Sequence, residues 1–186
     1  MTASYEFLRK LILPLDEIDK AIPTSGKIID FGCGQGLIAS LLAKKPNRQI
    51  IGIDANAKRL PKSSKKNLTF KKNDITTMPF EKINGAILSD VLHHLALKDQ
   101  QTLLEKIFKK LNKKGVLVIK EIDTSEFLRS HLSRLWDFIL YPQDKITFTN
   151  YKYLKKALIA IGFKVDIRRP SRYFPGSTTL YVCTKK

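Results

Sequence analysis

The apolar positions of this chain change period repeatedly between strand-like and helix-like spacing. Phe7, Leu8, Leu11, Ile12 and Leu15 recur at helical spacing, and Ser4 can cap that segment, so the pattern predicts a helix over Ser4–Leu15. Lys27–Phe31 is a short β-branched run that ends in glycines and predicts a buried first strand. A helix is expected over Leu37–Lys45, a second strand over Gln49–Asp54, and a short, poorly defined helix in the basic stretch Lys58–Lys66. Leu68–Lys71 and Gly85–Ser89 follow as strands. Leu97–Leu111 places Leu103, Leu104, Ile107, Phe108 and Leu111 on one helical face, with Gly115 as the break. Val116–Glu121 is a fifth strand. Ser125–Leu140 is amphipathic, and Asn150–Ile161 is a last helix closed by Gly162. Phe163–Ile167 and Thr178–Cys183 complete seven strands as a hairpin, with about six helices. Strands alternating with helices predict an α/β fold: a doubly wound, Rossmann-like seven-stranded sheet, mostly parallel with an antiparallel C-terminal strand.

The chain of 186 residues suits one domain spanning 1–186, with residues 1–24 as a helical segment packed on it. No apolar stretch approaches the roughly 20 residues that cross a bilayer. Glu6, Arg9 and Lys10 interrupt the N-terminal apolar positions, which does not match a secretory leader. A cytoplasmic protein is expected. Cys33 and Cys183 are too few for a disulfide framework. Cys33 is expected as a small residue in a tight turn, and Cys183 as core.

Charge changes the picture in one respect. Lys and Arg number 34 against 17 Asp and Glu, a net +17. A basic surface favours anionic partners. The excess is mostly lysine and spread widely, whereas arginine and aromatic side chains dominate specific nucleic-acid contacts. The charge therefore raises a nucleic-acid partner without deciding for it.

The chemistry concentrates after the first strand, in Asp30-Phe31-Gly32-Cys33-Gly34-Gln35-Gly36. Glycines let a ligand approach the backbone, and the helix that follows offers free amides. A phosphate-binding loop would need lysine before Ser/Thr, and Gln35-Gly36-Leu37 has none. A dinucleotide site would prefer G-x-G-x-x-G, whereas this loop is G-x-G-x-G with an acid two residues before it. Asp54 ends the second strand 18 residues after Gly36, where a carboxylate can accept ribose hydroxyls. Asn73-Asp74-Ile75 follows the third strand. Ser89-Asp90-Val91-Leu92-His93-His94-Leu95 follows the fourth.

In order and spacing these segments resemble the motifs of the class I S-adenosylmethionine-dependent methyltransferases, over roughly Lys27 to Glu121. Leu111-Asn112-Lys113-Lys114-Gly115 departs from that family's usual Leu-x-Pro-Gly-Gly turn. The resemblance implies S-adenosylmethionine as cofactor, with S-adenosylhomocysteine as product. It implies a cofactor site of Asp30, Gly32, Cys33, Gly34, Gly36, Asp54, Ala55, Asp74, Ile75, Ser89 and Asp90. In it Asp30 meets the cofactor amino group, Asp74 the adenine amine, and Ile75 the ring.

A general base is needed only if the acceptor must lose a proton. The candidates are His93, His94, Glu121 and Asp123, all expected near the carboxyl edge. Adjacent histidines on one helix point about 100° apart, so one at most faces the site. No ligand set for a metal is apparent. Nucleic-acid amino-methyltransferases carry Asn/Asp-Pro-Pro-aromatic where this chain has Ser89-Asp90-Val91-Leu92. The expected acceptor is thus a small molecule or lipid. The segment Ser125–Leu140, with Trp136, Phe138 and Tyr141 at its end, is expected either as a lid or membrane-contact element or as a helix packed on the sheet. The alternatives are an RNA methyltransferase acting through its basic surface, a non-catalytic adenosyl-binding subunit, and, more remotely, an NAD oxidoreductase.

Overall fold

A computed structural model describes residues 13–62, 65–122, 151–169 and 178–186. In chain order its elements are α1 (Leu15–Ala21), β1 (Gly26–Phe31), α2 (Leu37–Leu42), β2 (Arg48–Asp54), β3 (Leu68–Lys72), β4 (Ile83–Ser89), a 3₁₀ turn (Leu92–His94), α3 (Leu97–Lys110), β5 (Leu111–Ile122), α4 (Tyr151–Ile161), β6 (Phe163–Arg168) and β7 (Thr178–Lys185).

Adjacent positions on each inner strand are both apolar, because helices cover both faces of the sheet. Ile28, Ile87, Val118 and Leu180 pack on one face against Ile18 and Ile22 near α1, and Ile38, Ala39 and Leu42 of α2. Their neighbours Ile29, Leu88, Ile119 and Tyr181 pack on the other, against Leu103, Leu104 and Ile107 of α3 and Leu154 and Leu158 of α4. The seven strands lie in the order β3-β2-β1-β4-β5-β7-β6. β1 to β5 pair in parallel, and β7 runs antiparallel between β5 and β6. This is the predicted doubly wound sheet with its antiparallel C-terminal strand. The order reverses between β1 and β4, and the crevice beyond their carboxyl ends is where such sheets bind ligands.

Several local expectations change. The predicted helix Ser4–Leu15 lies almost wholly outside the described residues. A helix that periodicity did not predict, α1, follows it; only Ile18 is buried there, too little apolar signal for a period. Asp16 and Glu17 in its first turn and Lys20 in its last suit the helix dipole. Among the described residues of Lys58–Lys66 there is no helix. Asn56 Oδ1 accepts the Lys58 amide at 3.0 Å, and Pro61 stops any continuation, so the segment turns instead. Gly115 is not the helix break. α3 ends at Lys110, β5 begins at Leu111, and Gly115 lies within it next to a register shift between Ile83 and Gly85. Lys114 takes φ 61° in that turn, and a Cβ on Gly115 would meet Asn112 O at 2.8 Å. Gly162, with φ 115°, does close α4. The amphipathic segment Ser125–Leu140 and Tyr141 lie outside the described residues. Among those described, no helix is long and apolar enough to cross a membrane.

Beside the packing of Ile18 and Ile22, one buried side chain ties the N-terminal segment to the sheet. Arg48 opens β2 and is fully buried. Its guanidinium donates to the Asp19 carboxylate, to the Pro23 carbonyl at 2.8 Å, and to the Asp19 and Ile22 carbonyls at 3.1 and 3.2 Å. Lys45 reaches Asp19 at 2.9 Å from outside. Burial pushes the Asp19 carboxyl up, but hydrogen bonds and charge from Lys45 and Arg48 outweigh it and hold it below the usual carboxylate range. A depressed carboxyl adds stability above its unfolded pKa and loses it as pH falls through the folded one. Arg48→Ala should cost about 3 kcal/mol in denaturant unfolding, because it leaves three carbonyls without their donor and Asp19 with Lys45 as its remaining cation. Lys45→Ala, at a half-exposed pair, should cost under about 1 kcal/mol. Wild-type stability should fall more steeply than that of Arg48→Ala as pH drops below the usual carboxylate range.

Candidate functional site

β1, β2 and β4 end side by side, so the loops that follow them share one edge of the sheet. Asp30, on β1, is buried, and its Oδ2 accepts the Ala39 amide of α2 at 3.2 Å. Beyond it Gly32, Gly34 and Gly36 all take positive φ, of 70°, 53° and 70°. The three positions have different reasons to lack a side chain. A Cβ on Gly32 would lie 2.5 Å from Val91, and one on Gly36 would lie 2.4 Å from Phe70. At Gly34 nothing lies within 4 Å. The outer two glycines admit protein, and the middle one faces open space.

Asp54 bounds that space. It is 7% exposed, and its Oδ2 accepts the Gly34 amide at 2.9 Å while Oδ1 accepts the Asn56 amide at 2.8 Å. A carboxylate has about four acceptor positions, so capacity remains for ligand hydroxyls. Ala55 follows, exposed. Asn73 donates its amide to the Asp54 carbonyl at 3.1 Å, which sets the next acid beside this one. Asp74 Oδ1 accepts the Thr76 amide and hydroxyl at 2.8 and 2.7 Å. Those bonds hold the exposed Asp74 carboxyl below its usual range. Ile75 is half-buried against the core.

Cys33 packs over β2, at 3.0 Å from where a Gly52 Cβ would lie. Burial first, then the charges of Asp30 and Asp54, push its thiol far up, so it is neutral. It sits in the expected turn, its carbonyl accepting the Gly36 amide at 2.9 Å. Burial likewise raises Cys183.

The loop after β4 is held from β5. Ser89 is buried, and its hydroxyl has no hydrogen-bond partner among the described residues. Asp90 adopts φ 56°; its amide donates to the Lys120 carbonyl at 3.0 Å, and its Oδ1 accepts Lys120 Nζ at 2.6 Å. Lys120 is 5% exposed. Glu121, also buried, accepts the Val91 and Leu92 amides on Oε1 at 3.2 and 2.8 Å. Its Oε2 lies 2.6 Å from His93 Nδ1. Lys120 and Glu121 are successive, so their side chains leave β5 on opposite faces, yet both reach this loop. His93 and His94 occupy the 3₁₀ turn, not an α-helix, so the step between them is nearer 120°. Their ring centroids are 4.2 Å apart. His93 is buried and His94 half-buried.

The structure thus brings Asp30, the glycine loop, Asp54, Ser89, Asp90, His93, His94 and Glu121 to one sheet edge. Asp74 sits beside them on the far side of Asp54. Asp123 lies outside the described residues. Sequence reasoning missed Lys120 as a site residue; the available signal was a lysine inside an otherwise apolar strand. Among the described residues no three His, Cys, Asp or Glu side chains gather as a metal would require.

The family described as the methyltransferase domain matches residues 3–166. The chain belongs to this methyltransferase family. Its curated relatives include the carboxy-S-adenosyl-L-methionine synthase of Actinobacillus succinogenes, 30% identical over 115 residues that cover 55% of this chain and 47% of the relative. The chain therefore spans about half the length of the curated relatives it matches. Among solved structures, a SAM-dependent methyltransferase from Archaeoglobus fulgidus superposes with a TM-score of 0.71 at 17% identity, covering 99% of this chain and 100% of that one. A complex between the Haloferax volcanii Trm112 methyltransferase activator and a methyltransferase contains a chain that superposes at 0.76 with 14% identity, covering 98% of this chain and 94% of its own. These two likenesses show the shared fold.

The Glu121 contacts yield a stability test. Glu121→Ala leaves two buried amides and the His93 ring without their acceptor and should cost about 3 kcal/mol in chemical denaturation. Glu121→Gln, which keeps one carbonyl acceptor, should cost about half as much.

Proposed function

We propose that the protein transfers a methyl group from S-adenosylmethionine to a small-molecule or lipid-like acceptor. The open face of Gly34 against the Asp54 carboxylate, at the point where the strand order reverses, is the observation that carries this reading. The residues present fit the donor. Asp54 has acceptor capacity for ribose hydroxyls, Asp74 and Ile75 stand beside it for the adenine, and Asp30, Ser89 and the glycine-loop amides suit the amino-acid end. When bound, S-adenosylmethionine supplies an electrophilic methyl on a sulfonium.

The chain contributes position and proton handling. In-line transfer depends on alignment, so loops anchored at both ends favour it. The hydrogen bonds of Glu121 and Lys120 make the segment from Ser89 to His94 such a loop. Glu121 Oε1 already accepts two amides, and its Oε2 accepts best from an Nδ1–H. That tautomer places the basic lone pair of His93 on Nε2. His93 is then the base for an acceptor that must lose a proton, Glu121 its positioning residue, and His94 the alternative base. The Ser89-Asp90-Val91-Leu92 sequence lacks the Pro-Pro-aromatic step of nucleic-acid amino-methyltransferases, which supports the small-acceptor reading. The likeness to carboxy-S-adenosyl-L-methionine synthases supports a second reading, in which the adenosyl compound is itself the molecule modified.

Calorimetric titration with S-adenosylmethionine tests the donor site. Asp54→Ala should weaken binding roughly 10- to 100-fold, the worth of one charge-assisted hydrogen bond. Gly34→Ala should also weaken it, because its side chain meets ligand space and not protein, while costing about 1 kcal/mol of stability for a side chain at φ 53°. Incubation of the protein with methyl-labelled donor and cell extract tests the acceptor. Label should enter the lipid or small-molecule fraction, and His93→Ala should slow its entry about 10²- to 10⁴-fold without weakening donor binding. Label in RNA would replace the acceptor assignment. Conversion of the donor itself, read by mass spectrometry, would favour the second reading.

A further inference from the structure

One run of exposed cations lies along an edge of the sheet. Between Asp54 and Asp74 the chain has no acidic residue. Lys58, Arg59 and Lys62 lie on the connection from β2 to β3, all exposed. That connection packs on the glycine loop, since Pro61 stands 3.0 Å from a Cβ position on Gly36. Lys65 and Lys66, also exposed, precede the start of β3. Lys71 and Lys72 are exposed at its far end, where they pair in register with Ile53 and Asp54. β3 is an edge strand of the sheet. Its five residues span about 17 Å, so the cations line the edge from its base up to the Asp54 side of the candidate site. The two flanking acids are engaged locally, Asp54 by the Gly34 and Asn56 amides and Asp74 by Thr76.

Edge lysines commonly prevent strand-to-strand aggregation. That accounts for Lys71 or Lys72, which lie on the strand. It does not account for Lys58, Arg59 and Lys62, which lie off it. We infer that the β2–β3 edge is a phosphate-tracking surface that binds a single strand of RNA alongside the mouth of the donor site. Lysine suits this task, because it meets phosphates as a mobile point charge without reading bases. A membrane surface fits less well: interfacial binding adds apolar insertion to charge, and the large exposed apolar side chains among the described residues are Leu97, Tyr153 and Ile159, none on this edge. The surface is independent of the acceptor proposed above and does not require RNA to be methylated.

The test is fluorescence anisotropy of the full chain with a labelled RNA of about 12 nucleotides, from about 50 to about 200 mM salt. Lys58→Glu/Lys62→Glu/Lys71→Glu/Lys72→Glu is compared with Lys98→Glu/Lys109→Glu/Lys155→Glu/Lys164→Glu, which changes net charge equally elsewhere. The edge variant should lose at least tenfold in affinity, and its salt slope should fall by about 3, at roughly 0.7 per phosphate contact. The control should keep most of both. The double variant Lys58→Ala/Lys62→Ala, confined to the connection, should show an intermediate loss if the quadruple one fails to fold. Equal losses in edge and control variants would reduce the effect to net charge and overturn the inference. Absence of RNA binding by the wild type, with or without binding to phosphatidylglycerol vesicles, would overturn it too.

Discussion

β1 lies between β2 and β4, paired in parallel with both, and its two faces are covered by helices. Such a strand has no route to solvent except at its ends. Its amino end is closed by the buried guanidinium of Arg48, which gathers the carbonyls of Asp19, Ile22 and Pro23. Its carboxyl end must therefore carry the polar chemistry. Three parallel strands end together there, and each hands over to a loop that carries an acid or follows one.

The glycine loop solves the packing problem this creates. Val91 from the β4 loop and Phe70 from β3 press on Gly32 and Gly36, so both neighbours close to the distance that an absent Cβ permits. Gly34 is left facing outward, tied to Asp54 by its amide. The same contacts that close the protein around the loop shape the space left beside it. On the other flank, Lys120 and Glu121 anchor the β4 loop through one buried ion pair and three further hydrogen-bond contacts. A charge buried this deeply is tolerated only with partners. The loop geometry, including φ 56° at Asp90, is held by those partners and not by local preference.

The residues that were legible in the sequence share one property: their signal is local. Alternating apolar periods located the strands and the long helices, because burial on two faces or on one stripe leaves its period in the chain. The glycine loop and the acids after the first three strands were legible because a ligand-approaching turn needs those residue types. Where a segment's structure depends on distant contacts, the period misleads. α1 has one buried residue and is held by Arg48, 29 residues from Asp19. The basic stretch after β2 has helix-forming lysines, yet the Asn56 turn and Pro61 decide its course. Gly115 looked like a helix stop and serves a tight turn inside β5.

By itself the sequence determined the α/β class, the position of the glycine loop and the acids that flank it, since each follows from periodicity or from the conformational range of a residue type. Only the tertiary structure decided which candidate bases meet. His93 and Glu121 are 28 positions apart, and the pairing of β4 with β5 brings their side chains to 2.6 Å. It likewise assigned Lys120 to Asp90. Contacts between strands depend on register and on which ends lie side by side, and neither is written in any local run of residues.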